Sequence, residues 1–587
     1  MAKTLLIALA LSALMVSVLP AADAPSNVEV RADVKMPMGD GTMLSANIFL
    51  PEGKGPFPVI LQRSPYGKGD EKLSDGRFFA AQGYVFVSQD CRGKGDSQGV
   101  WEPFIHEMAD GQDTQHWVAE QPWCDGRVGT FGGSYVGFTQ WIAAPNAGDQ
   151  FRAAYSVVPL IDPYGDALYT NGALNLALAM GWGSAVSYGC GEAMPIVRWN
   201  AEQWLTAYRT LPLSTWDSAL GRKVQFLRDW VAHPQFDEYW AGQSVRNRWQ
   251  DITVPNLVVG GWFDIFAKSV FDHVNAVRTL SRSPAARSRQ HLIVGPWSHG
   301  VSDSTKTGDL DFGPISPVKS IRLDDLRRQW FDHWLKGEET DAVEKWPAFR
   351  IFVMGRNQWR DEPEWPLKRT QYTPWYFHSR GSANTLSGDG QLSDLKPDHE
   401  PADAFVYDPE NPVPTAGGCN LVNCPVGPRD QTAVEKRTDV LVFTSEELKT
   451  DLEVTGPVKV VLYAASTAVD TDWTAKLVDV YPEGRQQAAI SLCDGIVRAR
   501  WRDSTEKPAF LRPGEVCRYE IDLWVTSNVF LAGHKIRVEI SSSNFPRFDR
   551  NLNTDDPWGM AAKPVIATQT IHHDRERASH ILLPVIP

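Results

Sequence analysis

Seven cysteines in 587 residues are too few for a disulfide scaffold. No histidine or second cysteine pair lies near Cys419 and Cys424 at zinc-ligand spacing, so a metal is not expected there. Positive charge is also scarce: 58 Lys and Arg against 71 Asp and Glu give a net charge of −13, which argues against a nucleic-acid partner. Beyond the N-terminus no apolar run reaches membrane-span length. There is no internal repeat and no low-complexity tract. The odd cysteine count leaves at least one thiol unpaired within a chain. Cys419 and Cys424, in GGCNLVNCP, could close a small ring.

What remains is an ordinary globular composition, 43% hydrophobic and 22% charged, in a chain too long for one core. Two to four domains are expected. Tryptophan is abundant at 23, which suits large cores or lined clefts. At the N-terminus Lys3 precedes an uncharged apolar run from Leu5 to Leu19, followed by Ala21, Ala22 and Ala24. This layout predicts a signal peptide over 1–24 and a mature protein that is soluble, not membrane-bound, and periplasmic or secreted. An uncleaved anchor is the alternative. No cysteine near the junction offers a lipid attachment site.

From residue 25 to 160, short apolar runs such as FPVILQR and YVFVSQD alternate with helical stretches such as HEMADGQDTQHWVAE. That alternation predicts an α/β domain with a mostly parallel sheet. Residues 161–246 read as a helical insertion, with TNGALNLALAM and AEQWLTAYRTL as helices. Strands return at VPNLVVGGWFD and HLIVGPWSH, and an amphipathic helix over Asp324–Gly337 completes the core at 247–348. From 349 to 587 the text changes to short strands, from FRIFVMG to KIRVEISSS, parted by Pro, Gly, Asp and Asn. This predicts an all-β sandwich or jelly roll crossed by a loop, SGDGQLSDLKPDHEPAD.

Ser134 lies in RVGTFGGSYVGFTQW, between a strand-like run and a helix-forming one. Glycines before it permit the sharp turn of a nucleophile elbow, although Gly137 stands three residues after the serine rather than two. A serine nucleophile needs a base and an orienting acid, which in α/β-hydrolases follow in the order Ser, acid, His. LVVGGWFD ends on Asp264 and HLIVGPWSH leads to His299. The oxyanion would be met by the backbone N–H of Tyr135, and Tyr66, in VILQRSPYGKGD, is the candidate for a second donor.

The strings GGSYVG, GWFD, GPWSHG, RSPYGK, DCRGKGDSQG and LAGHKIRVEISSSNFPRFDRN resemble one family, the α/β-hydrolases that include cocaine esterase, α-amino-acid ester hydrolases and X-prolyl dipeptidyl peptidases. The resemblance spans nearly the whole chain after the leader. It implies an α/β-hydrolase core with an inserted helical cap and a C-terminal jelly roll. It implies a triad of Ser134, Asp264 and His299 and assigns the oxyanion donor to Tyr66. Cys124 is implied to be a buried free thiol.

The expected function is hydrolysis of a small-molecule ester or amide through an acyl-enzyme, without cofactor. The resemblance offers Phe266 as a pocket aromatic, with Tyr169 and Asp166 as further substrate-binding candidates. The α-amino-acid ester hydrolases resemble the chain at LIDPYGDALY but carry an acidic pair where it has Asp166 and Ala167. Half of that ammonium-holding cluster is missing, which weighs against an amino-acid ester or X-prolyl peptide substrate. The rival from another class is an inert carbohydrate- or surface-binding protein. A homo-oligomer is compatible with the sequence.

Overall fold

The computed structural model describes residues 28–189, 199–339, 341–421, 423–482 and 489–587. The expected leader over 1–24 and Cys190 lie outside the described residues.

The strands of the first sheet are β1 (Glu29–Pro37), β2 (Met43–Leu50), β3 (Phe57–Ser64), β4 (Val85–Asp90), β5 (Cys124–Gly133), β6 (Phe151–Val157), β7 (Asn256–Phe263), β8 (Gln290–Ser298), β9 (Phe349–Val353) and β10 (Gln358–Glu362). Their spatial order is β1-β2-β4-β3-β5-β6-β7-β8-β9-β10. From β4 to β9 all neighbours are parallel. Antiparallel partners close both edges.

The parallel strands are near-continuous apolar runs because both faces are covered. Every residue of β7 is buried. Alternate residues serve opposite layers. Ala153, Tyr155, Leu257, Val259 and Ile293 join Phe79 of helix α1 (Ser74–Ala81) on one face. Ala154, Val258, Leu292 and Val294 face the other layer. That layer includes helix α3 (Tyr135–Ala143), which packs beside α2 (Glu107–Ala119).

Between β6 and β7 run helices α4 (Leu176–Ala185), α5 (Ala201–Tyr208) and α6 (Gln225–Ala232). The expected helix TNGALNLALAM starts only at Leu176. Ahead of it Tyr169–Thr170 and Ala173–Leu174 form a minimal hairpin. Its turn is Asn171–Gly172, both at positive φ (46° and 85°), the geometry that Asn-Gly favours. After β7 come α7 (Ala267–Leu280) and α8 (Leu323–Phe331), the second on the face of α1. The helix expected over Asp324–Gly337 changes to a wider π turn at Asp332–Lys336. There the buried Asp332 accepts hydrogen bonds from Tyr84, Arg328 and Lys336.

Residues 371–586 form an eleven-stranded all-β unit with its own core around Phe377, Trp473 and Ile540. FRIFVMG does not belong to it, contrary to expectation. It supplies β9, whose apolar run pairs in parallel with β8 and extends the first sheet. Within the expected loop SGDGQLSDLKPDHEPAD, Gln391–Ser393 is a strand paired on both sides. The Cys419–Cys424 ring is also corrected. Both thiols are free, like those of the other described cysteines, Cys124 included. The loop is instead held by Asn420, whose side-chain amide donates to the carbonyls of Gly417 and Pro425.

The small hairpin is held by the all-β unit. Leu174 N–H donates to Asp549, Asp549 N–H to the Leu174 carbonyl, and the Asn171 side chain to the Ile496 carbonyl. Beneath it Arg498 bridges Asp472 and Asp549, all three excluded from solvent.

Candidate active site

Ser134 sits at the tip of β5 with φ 58° and ψ −124°, a strained backbone for a residue with a side chain. Its N–H donates to the Val157 carbonyl on β6 at 2.9 Å, which fixes the turn. A Cβ at Gly132 would lie 2.2 Å from Val136, and one at Gly137 2.6 Å from Pro159. The first glycine makes the elbow possible. The second lets α3 approach the chain leaving β6, which explains its place three residues after the serine. As the first residue of α3, Tyr135 has an N–H with no intrahelical acceptor, at the positive end of the helix dipole.

Asp264 and His299 follow directly on the C-terminal ends of β7 and β8. His299 Nε2 lies 2.9 Å from Ser134 Oγ, and His299 Nδ1 lies 2.7 Å from Asp264 Oδ1. All three residues are buried. The ring of Phe266 stands edge-on to the imidazole at 5.5 Å and 80°.

Tyr66 hangs from the loop after β3 and lines the same cavity as Ser134. Burial pushes its pKa well above the ordinary value, so the phenol stays a protonated donor. The indole N–H of Trp182 donates to Tyr66 Oη at 3.1 Å.

Beside Ser134 lies a small cavity. Phe104, Leu160, Leu168, Trp182, Phe266 and Leu421 supply its larger apolar walls, Ala167 faces it too, and among the described residues no charged side chain lines it. Leu421 comes from the all-β unit, in the very loop read as a cysteine ring. Nothing local in the sequence marks Trp182, Phe104 or Leu421 as wall residues, since each arrives from a different segment.

Asp166 and Tyr169 are elsewhere. Both line a neighbouring, more polar cavity that shares only Ile265 and Phe266 with the first. The Tyr169 hydroxyl donates to the Trp230 carbonyl at 2.8 Å. Asp166 accepts from the Asp162 N–H and the Ser269 hydroxyl and lies 3.5 Å from His273. Burial pushes its carboxyl up, but His273 and those hydrogen bonds outweigh it and hold the pKa below the ordinary value. The carboxylate is thus ionised and already partnered.

A family profile described as X-Pro dipeptidyl-peptidase (S15 family) matches residues 40–301, and its C-terminal non-catalytic domain matches 341–582. The cocaine esterase of Rhodococcus sp. (strain MB1 Bresler) is 39% identical over 584 residues, 95% of this chain and 99% of that protein. The chain belongs to the S15 family of serine hydrolases. Among solved structures, an α-amino-acid ester hydrolase superposes with a TM-score of 0.81 at 26% identity, over 97% of this chain and 98% of that one. An aminopeptidase from a Thaumarchaeota archaeon gives 0.82 at 25%, over 97% and 99%. This S15 hydrolase thus pairs an N-terminal hydrolase domain with a C-terminal all-β domain. No described helix is long and apolar enough to cross a membrane.

Proposed function

We propose that this S15 hydrolase cleaves carboxylic esters with an uncharged, apolar acyl group, through an acyl-enzyme on Ser134. The observation that carries the reading is the Asp264–His299–Ser134 hydrogen-bond chain beside a cavity whose described walls carry no charge. His299 Nε2 takes the Ser134 proton as Oγ attacks the carbonyl carbon. Asp264 holds the imidazole by Nδ1 and favours its protonated form. The developing oxyanion is met by the Tyr135 N–H and the Tyr66 hydroxyl. His299 returns its proton to the departing alkoxide. Water, activated by the same imidazole, then releases the acid and regenerates Ser134.

The relatives are named for an ester, for amino-acid esters and for X-Pro peptides. The two latter classes carry a cationic amino group. The wall at Ala167 offers it no partner, and the Asp166 carboxylate is already engaged by the Asp162 N–H and the Ser269 hydroxyl. A neutral ester is therefore favoured.

Around this site we assign residues 161–246 as a cap, because they supply Ala167, Leu168 and Trp182 to the cavity. The all-β domain, read as a jelly roll, contributes Leu421 as a further wall. Export after removal of residues 1–24 follows from the leader pattern. A fluorophosphonate probe should label the protein at Ser134, and Ser134→Ala should abolish both labelling and turnover. A panel of p-nitrophenyl acyl esters, amino-acid esters and Xaa-Pro amides tests the substrate class. Faster turnover of substrates with a free α-amino group would refute it, and absence of labelling would return the inert binding protein as the better account.

A further inference from the structure

Tyr66 carries one hydroxyl proton and two lone pairs, so its value as an oxyanion donor depends on where that proton points. The Trp182 indole Nε1–H donates into the phenol oxygen at 3.1 Å. With a donor on that side, the phenol proton turns away from the indole. Ser134 lines the same cavity as the phenol and the indole. A hydrogen bond received by a hydroxyl also polarises its own O–H and strengthens it as a donor.

The indole is held firmly enough to impose this direction. Its ring stacks on Tyr135 at 5.7 Å, on Phe104 at 5.8 Å and on Trp230 at 6.0 Å, with interplanar angles of 28°, 24° and 6°. The chain leaving α4, the helix that carries Trp182, is tied to the loop that carries Tyr66. Lys94 Nζ, from the DCRGKGDSQG stretch, donates to the carbonyls of Val186 and Tyr188, each at 2.7 Å. The Tyr188 hydroxyl in turn donates to the carbonyl of Pro65, the residue before Tyr66, at 3.0 Å. Donor and recipient are thus fixed to each other across two segments far apart in sequence.

We infer that Trp182 is a positioning residue for oxyanion stabilisation: its indole N–H orients the Tyr66 hydroxyl toward the nucleophile. The inference rests on the reading of Ser134 as nucleophile and Tyr66 as oxyanion donor. It makes α4 part of the catalytic apparatus as well as a pocket wall.

A double-mutant cycle with a p-nitrophenyl acyl ester tests it. Trp182→Phe should lower kcat by about tenfold with KM little changed, less than the ~10²–10³ expected for losing the donor itself in Tyr66→Phe. In the Tyr66→Phe background, Trp182→Phe should cost no further kcat. Site-specific replacement of Trp182 by 3-benzothienylalanine, which keeps the ring shape and deletes only the N–H, should reproduce the kcat loss if the phenyl variant folds poorly. Fluorophosphonate labelling of Ser134 reports an intact site in each variant. Equal kcat losses in both backgrounds, an effect on KM alone, or full activity of the benzothienyl variant would overturn the inference while leaving the triad reading intact. Unlabelled wild-type Ser134, or an unaffected Tyr66→Phe, would overturn both.

Discussion

At the scale of single residues, Tyr66 and Ala167 carry the most informative consequences. Tyr66→Phe deletes the hydroxyl proposed as an oxyanion donor and should lower kcat by ~10²–10³, with KM little changed, in steady-state ester hydrolysis. Because burial raises the Tyr66 pKa well above its ordinary value, the phenol keeps its proton in alkaline solution. A kcat profile extended to pH 10 should therefore show no descending limb from this group. Ala167 is buried against the apolar cavity. Ala167→Asp should lower kcat/KM for neutral acyl esters, since a carboxylate there would be desolvated without a partner, and should improve relative turnover of amino-acid esters. A substrate panel on that variant reads both changes. Ser134, Asp264 and His299 were legible because each ends a strand-like apolar run, a local signal. Tyr169 and Asp166 sit close to the site in sequence terms, yet their side chains turn into the adjoining cavity, a direction that spacing does not encode.

At the scale of elements, the 169–174 hairpin shows how a local signal can be present and overridden in reading. Asn171–Gly172 is a strong hairpin turn, but it lies in an apolar stretch that scans as helix. The turn is also crowded: a Cβ on Gly172 would lie 2.2 Å from the Trp501 ring, and φ is 85°. Gly172→Ala should cost more than about 1 kcal/mol, read as a lowered denaturation midpoint, since both steric overlap and backbone strain oppose it. A second consequence concerns the short helix Thr432–Glu435. Burial, reinforced by the neighbouring Glu539 and opposed by Arg537, raises the Glu435 pKa from 4.5 to about 7. Between those pH values the folded chain holds a proton that the unfolded chain has released. Stability from this group is therefore lost as pH rises through that window. Glu435→Gln keeps a hydrogen-bond acceptor for Arg537 without the titrating proton. Its denaturation midpoint relative to wild type should improve from pH 5 to pH 8, and a constant difference would show that Glu435 titrates normally.

At the scale of the whole molecule, the site is completed where the all-β domain holds the hairpin. The all-β domain grips the hairpin through Asp549 and Ile496, and contributes Leu421 to the cavity wall. Arg498 lies at this junction, buried between Asp472 and Asp549 and stacked 4.6 Å from the Trp558 ring centroid. Arg498→Met would leave the two carboxylates without their cation. A loss of about 3–5 kcal/mol is expected in urea unfolding. Activity should fall at lower urea than global unfolding in this variant, because the hairpin beside the pocket loosens first.

The sequence by itself determined the order of the elements and the residues that stand at the tips of β5, β7 and β8. Those features follow from patterns within a dozen residues: apolar runs, glycines at a turn, a helix that starts at once. Only the tertiary structure decided that Phe349–Val353 extends the hydrolase sheet, that the cysteine loop is an open wall carrying Leu421, and that Trp182 reaches Tyr66. Each depends on contacts between segments far apart along the chain, where the partner is chosen by packing and hydrogen-bond satisfaction and leaves no mark in the local text.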